Sequence, residues 1–419
     1  MVSLVLFCAA GGARSAAGGG EEGAREYLRL VGIGDETLGR FVDGRPLSED
    51  DTESLLSVLY QLRRLDRVSL ERWTDRQQGI ESVVADPDTY RGCFVLVVGH
   101  VVGVTPVAVP AASIDRFGMP QYFVCQLRVP GKGSTATVVT PSVPRAWLDG
   151  QPLDEPARAR GLFVKLEGDS AEKPRPVLIA PHIGWYPREF DAARGISFGM
   201  AELGKLGMDI GQWDDVRNRE TITARQREPF YQLLAAVDRL SPDALMALAR
   251  KNLRQGEKAW LDEEQTLERE LEQRTGSRQQ EGTSERAESA SLRDLRSHLA
   301  TVRRALEAAR QGRSSVVPLF NEPDQQFGAI VSLEGTVRRV AKVYVQGDAR
   351  GHGTSDIEER FGFDHYYELD LFTDDSGPNP LIVCVRRLPA GFPTGPKLNE
   401  PVRVAAFFFK TWAFTADRR

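Results

Sequence analysis

The chain has 419 residues, of which 41% are apolar and 8% aromatic. That is enough for two or three ordinary cores, because domains usually run to about 100–200 residues. Its 59 acidic and 54 basic side chains nearly cancel to a formal charge of −5. No large positive field is therefore available to concentrate a polyanion, and composition leaves a nucleic-acid partner unsupported rather than excluded.

In chain order, Val2–Ala10 is a short apolar run followed by small residues, with Ala9-Ala10-Gly11 as an acceptable cleavage site. The pattern matches the h-region and cleavage region of a secretory signal but lacks a basic n-region. Residues 1–20 are expected to be a signal segment or a disordered leader. The corresponding location is the periplasm or envelope, or the cytoplasm if the leader is retained. Cys8 follows Phe7 and makes a poor lipoprotein site.

Residues 21–85 read as an N-terminal helical segment. Ser48-Glu-Asp-Asp resembles a capping box, and Leu55, Leu59 and Leu62 follow on one face. Residues 86–187 predict five strands, at about 92–99, 100–109, 120–128, 135–141 and 157–166, alternating with turn residues. Residues 188–315 form a helical connector. Ser241-Pro242 sets a helix start, and Leu292, Leu295, Leu299, Val302 and Leu306 carry a three-four seam. An antiparallel hairpin over 242–272 and 289–312 is expected across the polar stretch Thr275–Ser289.

Residues 316–416 repeat the pattern of 86–187. Adding 236 pairs Pro87, Asp88, Gly92, Val95, Gly99, Val101, Val104, Val107 and Val109 with Pro323, Asp324, Gly328, Val331, Gly335, Val337, Val340, Val343 and Val345. Adding 244 pairs Arg116-Phe117-Gly118 with Arg360-Phe361-Gly362, and Tyr122 with Tyr366. Adding 245 pairs Gly150, Pro156, Arg158, Phe163 and Lys165 with Gly395, Pro401, Arg403, Phe408 and Lys410. Chance gives only about one or two matches in such a window. The register slips fall in Gly347–Glu359 and near Asp374–Gly377, both of loop composition. The pairing also reads Phe94–Val109 as extended chain, because its partner Ile330–Val345 carries Glu334, Arg338, Arg339 and Lys342, which a membrane span does not tolerate.

The fold class expected is thus α+β and multidomain: two duplicated five-stranded β-barrel modules joined by a helical connector, behind an N-terminal helical segment. The opening Gly-x-Val pairs and the segment Leu398–Lys410 resemble the first and last strands of OB-fold domains, over about half of the chain. The short turn Pro130–Ser134 departs from the helix usual between strands three and four, and an SH3-like or other small barrel stays open. The resemblance implies that outward strand aromatics stack bases or sugars beside Arg and Lys. On that basis Tyr122, Phe123, Tyr366, Tyr367, Arg158, Arg403, Lys165 and Lys410 are the candidate ligand-binding residues, against a plainer role in core filling and edge protection.

No catalytic motif appears. The cysteines Cys8, Cys93, Cys125 and Cys384 and the five histidines form no metal-spaced cluster, so neither cofactor nor metal is expected. Cys93 and Cys125 lie in predicted strands and are read as buried free thiols. Gly131-Lys-Gly-Ser-Thr lacks the phosphate-loop spacing and reads as a hairpin turn. Gly351-His-Gly-Thr-Ser-Asp reads as a loop insertion. The functional expectation is a non-enzymatic, envelope-associated binding or scaffold protein, with a protein partner or self-association through the connector. The alternatives are a single-stranded nucleic-acid or oligosaccharide binder using the barrel faces, and a hydrolase-type enzyme with a cleft between the modules.

Overall fold

A computed structural model of the chain describes residues 20–74, 79–131, 134–168, 173–280, 290–345 and 356–412. The expected leader, the centre of the Gly131 turn, most of the polar stretch Thr275–Ser289 and nearly all of the Gly351 loop lie outside these residues. The fold is α+β, with a six-stranded mixed sheet and a curled four-stranded antiparallel sheet. The described residues form two compact units, 20–188 with 207–214, and 189–206 with 215–412.

The first unit begins with helices α1 (Gly20–Leu30), α2 (Thr52–Leu62) and α3 (Arg67–Trp73). Asp51 accepts the Ser48 amide at 3.0 Å and closes a capping box ahead of α2. Leu55, Leu59 and Leu62 are no more than 1% exposed, each contributing about 2 kcal/mol of burial. They belong to the same core as Phe94, Tyr122, Val139, Leu162 and Ile179 of the sheet.

That sheet comprises β1 (Phe94–Ala108), β2 (Gln121–Arg128), β3 (Thr135–Thr140), β4 (Glu155–Glu167), β5 (Arg175–Ile179) and β6 (Ile183–Trp185), with α4 (Ala111–Phe117) between β1 and β2. The order is β1-β2-β3-β5-β4-β6, and β1 pairs with β4 as well. Only β3–β5 is parallel among these pairings. The two strands expected at 92–99 and 100–109 are one. The first half of β1 pairs with β4 and the second with β2, with a bulge between Val101 and Gly103 that lets the strand change partners. Gly99 serves a close approach, since a Cβ there would stand 2.5 Å from the Arg128 carbonyl oxygen. Strands β5 and β6 were not expected. β5 is five residues long and contains Pro176 just after Pro174, and proline demotes a strand reading.

The second unit carries α5 (Phe198–Lys205), α6 (Ala224–Val237), α7 (Pro242–Gln280) and α8 (Ala290–Arg310). Its sheet comprises β7 (Ile330–Tyr344), β8 (His365–Phe372), β9 (Leu381–Val385) and β10 (Glu400–Phe407), with α9 (Asp356–Phe361) before β8. The order is β10-β7-β8-β9, all antiparallel. Among the described residues the expectation of five strands per module is therefore corrected to six in one sheet and four in the other.

Several local features recur at positions paired by the sequence offsets. β7 has its bulge between Val337 and Arg339, and a Cβ on Gly335 would stand 2.2 Å from the Phe372 carbonyl oxygen. The Gly92 amide donates to the Phe163 carbonyl at 2.9 Å, and the Gly328 amide to the Phe408 carbonyl at 3.0 Å. Val109 N donates to Pro120 O at 2.9 Å, and Val345 N to Asp364 O at 2.7 Å.

Ser241 caps α7 through the Ala244 amide at 3.2 Å. The seam residues Leu292, Leu295, Leu299, Val302 and Leu306 of α8 are all buried within the chain. Arg303 reaches Glu264 at 2.9 Å and Glu268 at 2.5 Å on α7; such exposed pairs contribute little. Among the described residues no helix is long and apolar enough to cross a membrane.

Candidate functional site

In the first unit three of the four predicted ligand residues are buried and used internally. Alternation along β2 does send Phe123, Cys125 and Leu127 to one face and Tyr122 to the other, but α2 and its neighbours cover the outer face. Tyr122 is 7% and Phe123 5% exposed, so the expected free outward ring is absent here. Lys165 is only 1% exposed; its Nζ lies 3.0 Å from Asp51 and donates to Pro46 O at 3.3 Å. It pins the segment before α2 to the end of β4, as do Glu167, which accepts the Leu47 amide at 3.0 Å, and Asp43, which accepts the Leu166 amide at 2.8 Å. Arg158 is exposed and lies 4.6 Å above the Tyr186 ring.

In the second unit Tyr366 is buried by α6, against Phe230 and Tyr231. Burial pushes its phenol up. Lys410 donates to Gln226 at 2.8 Å, and partial burial lowers its affinity for the proton. Arg403 is exposed and donates to Gly312 O at 2.9 Å. Tyr367 is half-buried and is the one predicted aromatic with an accessible neighbourhood.

That neighbourhood is built by β7 and β8. Lys342 and Tyr344 share a face of β7 by alternation, and the register sets them opposite Tyr367 and His365. Tyr344 is 63% exposed. The His365 ring centroid lies 6.1 Å from Tyr344 and 5.4 Å from Tyr367, the latter edge-on. Lys342 Nζ sits 4.7 Å from the Tyr344 ring centroid. Asp364 meets His365 Nδ1 at 2.5 Å, and that hydrogen bond holds its carboxyl below the usual value. Arg339 is neutralised by Asp370 at 2.8 Å. The patch is thus aromatic and nearly charge-balanced. Sequence reasoning missed Lys342, Tyr344 and His365 because it sought residues shared by the two offset-paired stretches, whereas the offset sets Lys342 and Tyr344 against Pro106 and Ala108.

Elsewhere in the first unit, fully buried Asp209 accepts hydrogen bonds from the Trp185 amide at 2.8 Å, the Gly211 amide at 3.1 Å and the Gln212 side chain at 2.9 Å, and it also meets His182 Nε2. Burial alone would raise its pKa, but His182 and these donors outweigh that and hold it below the usual value. Trp185 in turn donates its indole N–H to Glu155 at 2.8 Å and meets Trp147 edge-on. Each Asp209 bond is internal, so the cluster anchors residues 207–214 to β6.

In the second unit an open cleft of about 520 Å³ is lined by Arg217, Arg219, Glu322 and Asp324 among others, with Arg219 at a φ of 60°. Among the described residues no group of three or more His, Cys, Asp or Glu side chains is placed to hold a metal ion. Cys93, Cys125 and Cys384 are free thiols. No protein-family model matches this chain, and no curated protein matches it in sequence.

Proposed function

We propose that this is a non-enzymatic binding protein of the cell envelope whose ligand, a neutral oligosaccharide, stacks on the Tyr344–His365–Tyr367 surface of the second unit. The observation that carries this reading is the 63% exposed Tyr344 ring flanked by Lys342 and His365 on one sheet face. An aromatic surface beside hydrogen-bonding groups suits a sugar ring, and the charge balance around it gives a phosphate chain little to hold. Two OB-like barrels from an internal duplication are part of the proposal. The β1–β4 pairing, the parallel β3–β5 pairing and the matching bulges and glycine approaches support it. In this reading the first module is structural, its outer face covered by α2, and the helical pair α7–α8 is a spacer. The apolar run Val2–Ala10 supports export.

The test is calorimetric titration of the full chain with a panel of neutral hexasaccharides and with a single-stranded oligonucleotide. The expected result is saccharide binding that is insensitive to salt and weakened about tenfold by Tyr344→Ala, on the scale of one lost ring stack. Oligonucleotide binding that falls steeply with salt would replace the reading with nucleic-acid recognition. Indifference to Tyr344→Ala would remove the site altogether.

A further inference from the structure

Among the described residues Arg219 is the one non-glycine residue with a positive φ, at 60°. Asn and Asp enter this left-handed region far more readily than arginine does. Hydrogen bonds lock the backbone there. The Arg219 amide donates to Thr411 O at 2.7 Å, the Thr411 amide to Asn218 Oδ1 at 2.7 Å, and the Thr411 hydroxyl to Leu319 O at 3.2 Å. Glu220 forms the next rung with Trp412. Such strain persists only where surrounding bonds over-determine it, and it concentrates at ligand clamps, where a side chain must be aimed.

Arg219 stands on one wall of the 520 Å³ cleft of the second unit, formed by residues 217–220; residues 321–325 form the other. That wall is fixed too. Asn321 donates to the Thr301 hydroxyl at 3.2 Å, and Glu322 meets His298 Nδ1 at 3.3 Å, both partners lying on α8. Asn218 spans the two walls, its Nδ2 donating to Asp324 Oδ1 at 2.8 Å. The charges divide by wall. Arg217 and Arg219 stand on the first, where Glu220 acts on Lys410, and Glu322 and Asp324 on the second. Arg219 and Asp324 are exposed, and no ion pair joins Arg219 to Glu322 or Asp324 among the described residues. Fixed walls thus hold opposite charges apart across a space of the size that small ligands occupy.

We infer that this cleft binds a short peptide by its two charged ends. The guanidinium of Arg219 takes the terminal carboxylate, a bidentate match of planar groups, and Asp324 and Glu322 take the terminal ammonium. A simple anion would gain from Arg219 but meet the two carboxylates, and a simple cation would meet the arginines. Only a ligand carrying both charges gains from both walls. The site is separate from the Tyr344 surface and does not rest on the saccharide reading.

The probe is triglycine, which presents both termini and no side chain, titrated calorimetrically into the full-length chain at low salt. The expected result is saturable binding, with N-acetyl-triglycine and triglycine amide each at least tenfold weaker, the scale of one lost charge-assisted contact. Arg219→Gly suits the left-handed backbone without strain, so the thermal midpoint should not fall. It should weaken triglycine at least tenfold and erase the difference between triglycine and its amide. Asp324→Asn keeps an acceptor for Asn218 and should narrow the difference between triglycine and its N-acetyl form. The inference is overturned if triglycine shows no saturable binding up to about 10 mM, if the capped peptides or sodium acetate bind as well as triglycine, or if Arg219→Gly binds it undiminished. Saccharide binding in the same variants should stay at the parent value, so either idea can fail without the other.

Discussion

Replacing Lys165 by methionine separates a structural lysine from a ligand-binding one. The Lys165 side chain is 1% and that of Asp51 7% exposed, at 3.0 Å. Methionine fills a similar volume but leaves the Asp51 carboxylate buried with only the Ser48 amide and hydroxyl, at 3.0 and 3.5 Å. An uncompensated buried charge of this kind costs about 3–5 kcal/mol. Asp51→Asn alone should cost a comparable amount, because the ammonium then keeps only neutral partners such as Pro46 O. The double variant Lys165→Met/Asp51→Asn buries no charge and should recover to within about 1–2 kcal/mol of the parent. Four tryptophans, at 73, 147, 185 and 213, lie in the first unit. Urea unfolding followed by tryptophan fluorescence in a Trp260→Phe/Trp412→Phe background therefore reports that unit. With a slope of about 2 kcal/mol per molar urea, the single variants should shift the midpoint by about 1.5–2.5 M. A midpoint shift of less than about 0.5 M for Lys165→Met, or a double variant as unstable as the singles combined, would refute a buried, mutually compensating Lys165–Asp51 pair.

Other outcomes follow from the same geometry. Gly99→Ala and Gly335→Ala each push a Cβ onto a backbone oxygen, at 2.5 and 2.2 Å, and should each lower stability by about 2–3 kcal/mol in their own unit, read as a loss of thermal midpoint. Asp209 has a depressed pKa, so its contribution is complete above the ordinary carboxylate value of 3.8 and is lost as the pH falls through the lower folded value. Asp209→Asn should flatten the acid limb of the first unit's stability curve and cost about 2 kcal/mol at neutral pH, checked by denaturation at pH 7 and along a series to pH 2. Burial pushes the Cys125 and Cys384 thiols up to about 12. In a Cys8→Ser background both should resist a thiol reagent at pH 8 until urea unfolds the chain, while half-buried Cys93 reacts first.

Much of the organisation was legible in advance because spaced glycines and β-branched residues report backbone requirements directly. Gly99 and Gly335 stood out as a pair, and both turn out to lie against a neighbouring strand's carbonyl. The charges Glu334, Arg338, Arg339 and Lys342 read the uncharged run Phe94–Val109 correctly as strand rather than membrane helix. The candidate site was largely illegible. Alternation puts the two rings of each aromatic pair on opposite faces of the strand, but it does not show that α2 covers Tyr122 or that α6 covers Tyr366. The accessible surface lies instead at Lys342 and Tyr344, where the two offset-paired stretches differ in sequence, and a search for shared residues passes over such positions.

The linear chain alone determined the strand-rich segments, the helix starts at Ser48 and Ser241 and the α+β class, because period, capping chemistry and glycine placement are properties of neighbouring residues. Only tertiary structure decided that one bulged strand serves two partners, that β5 completes one sheet while the other shows four strands among the described residues, and that Lys165 is buried against Asp51. Those outcomes depend on what packs against each edge and face across a hundred residues or more of chain, and no local pattern encodes that.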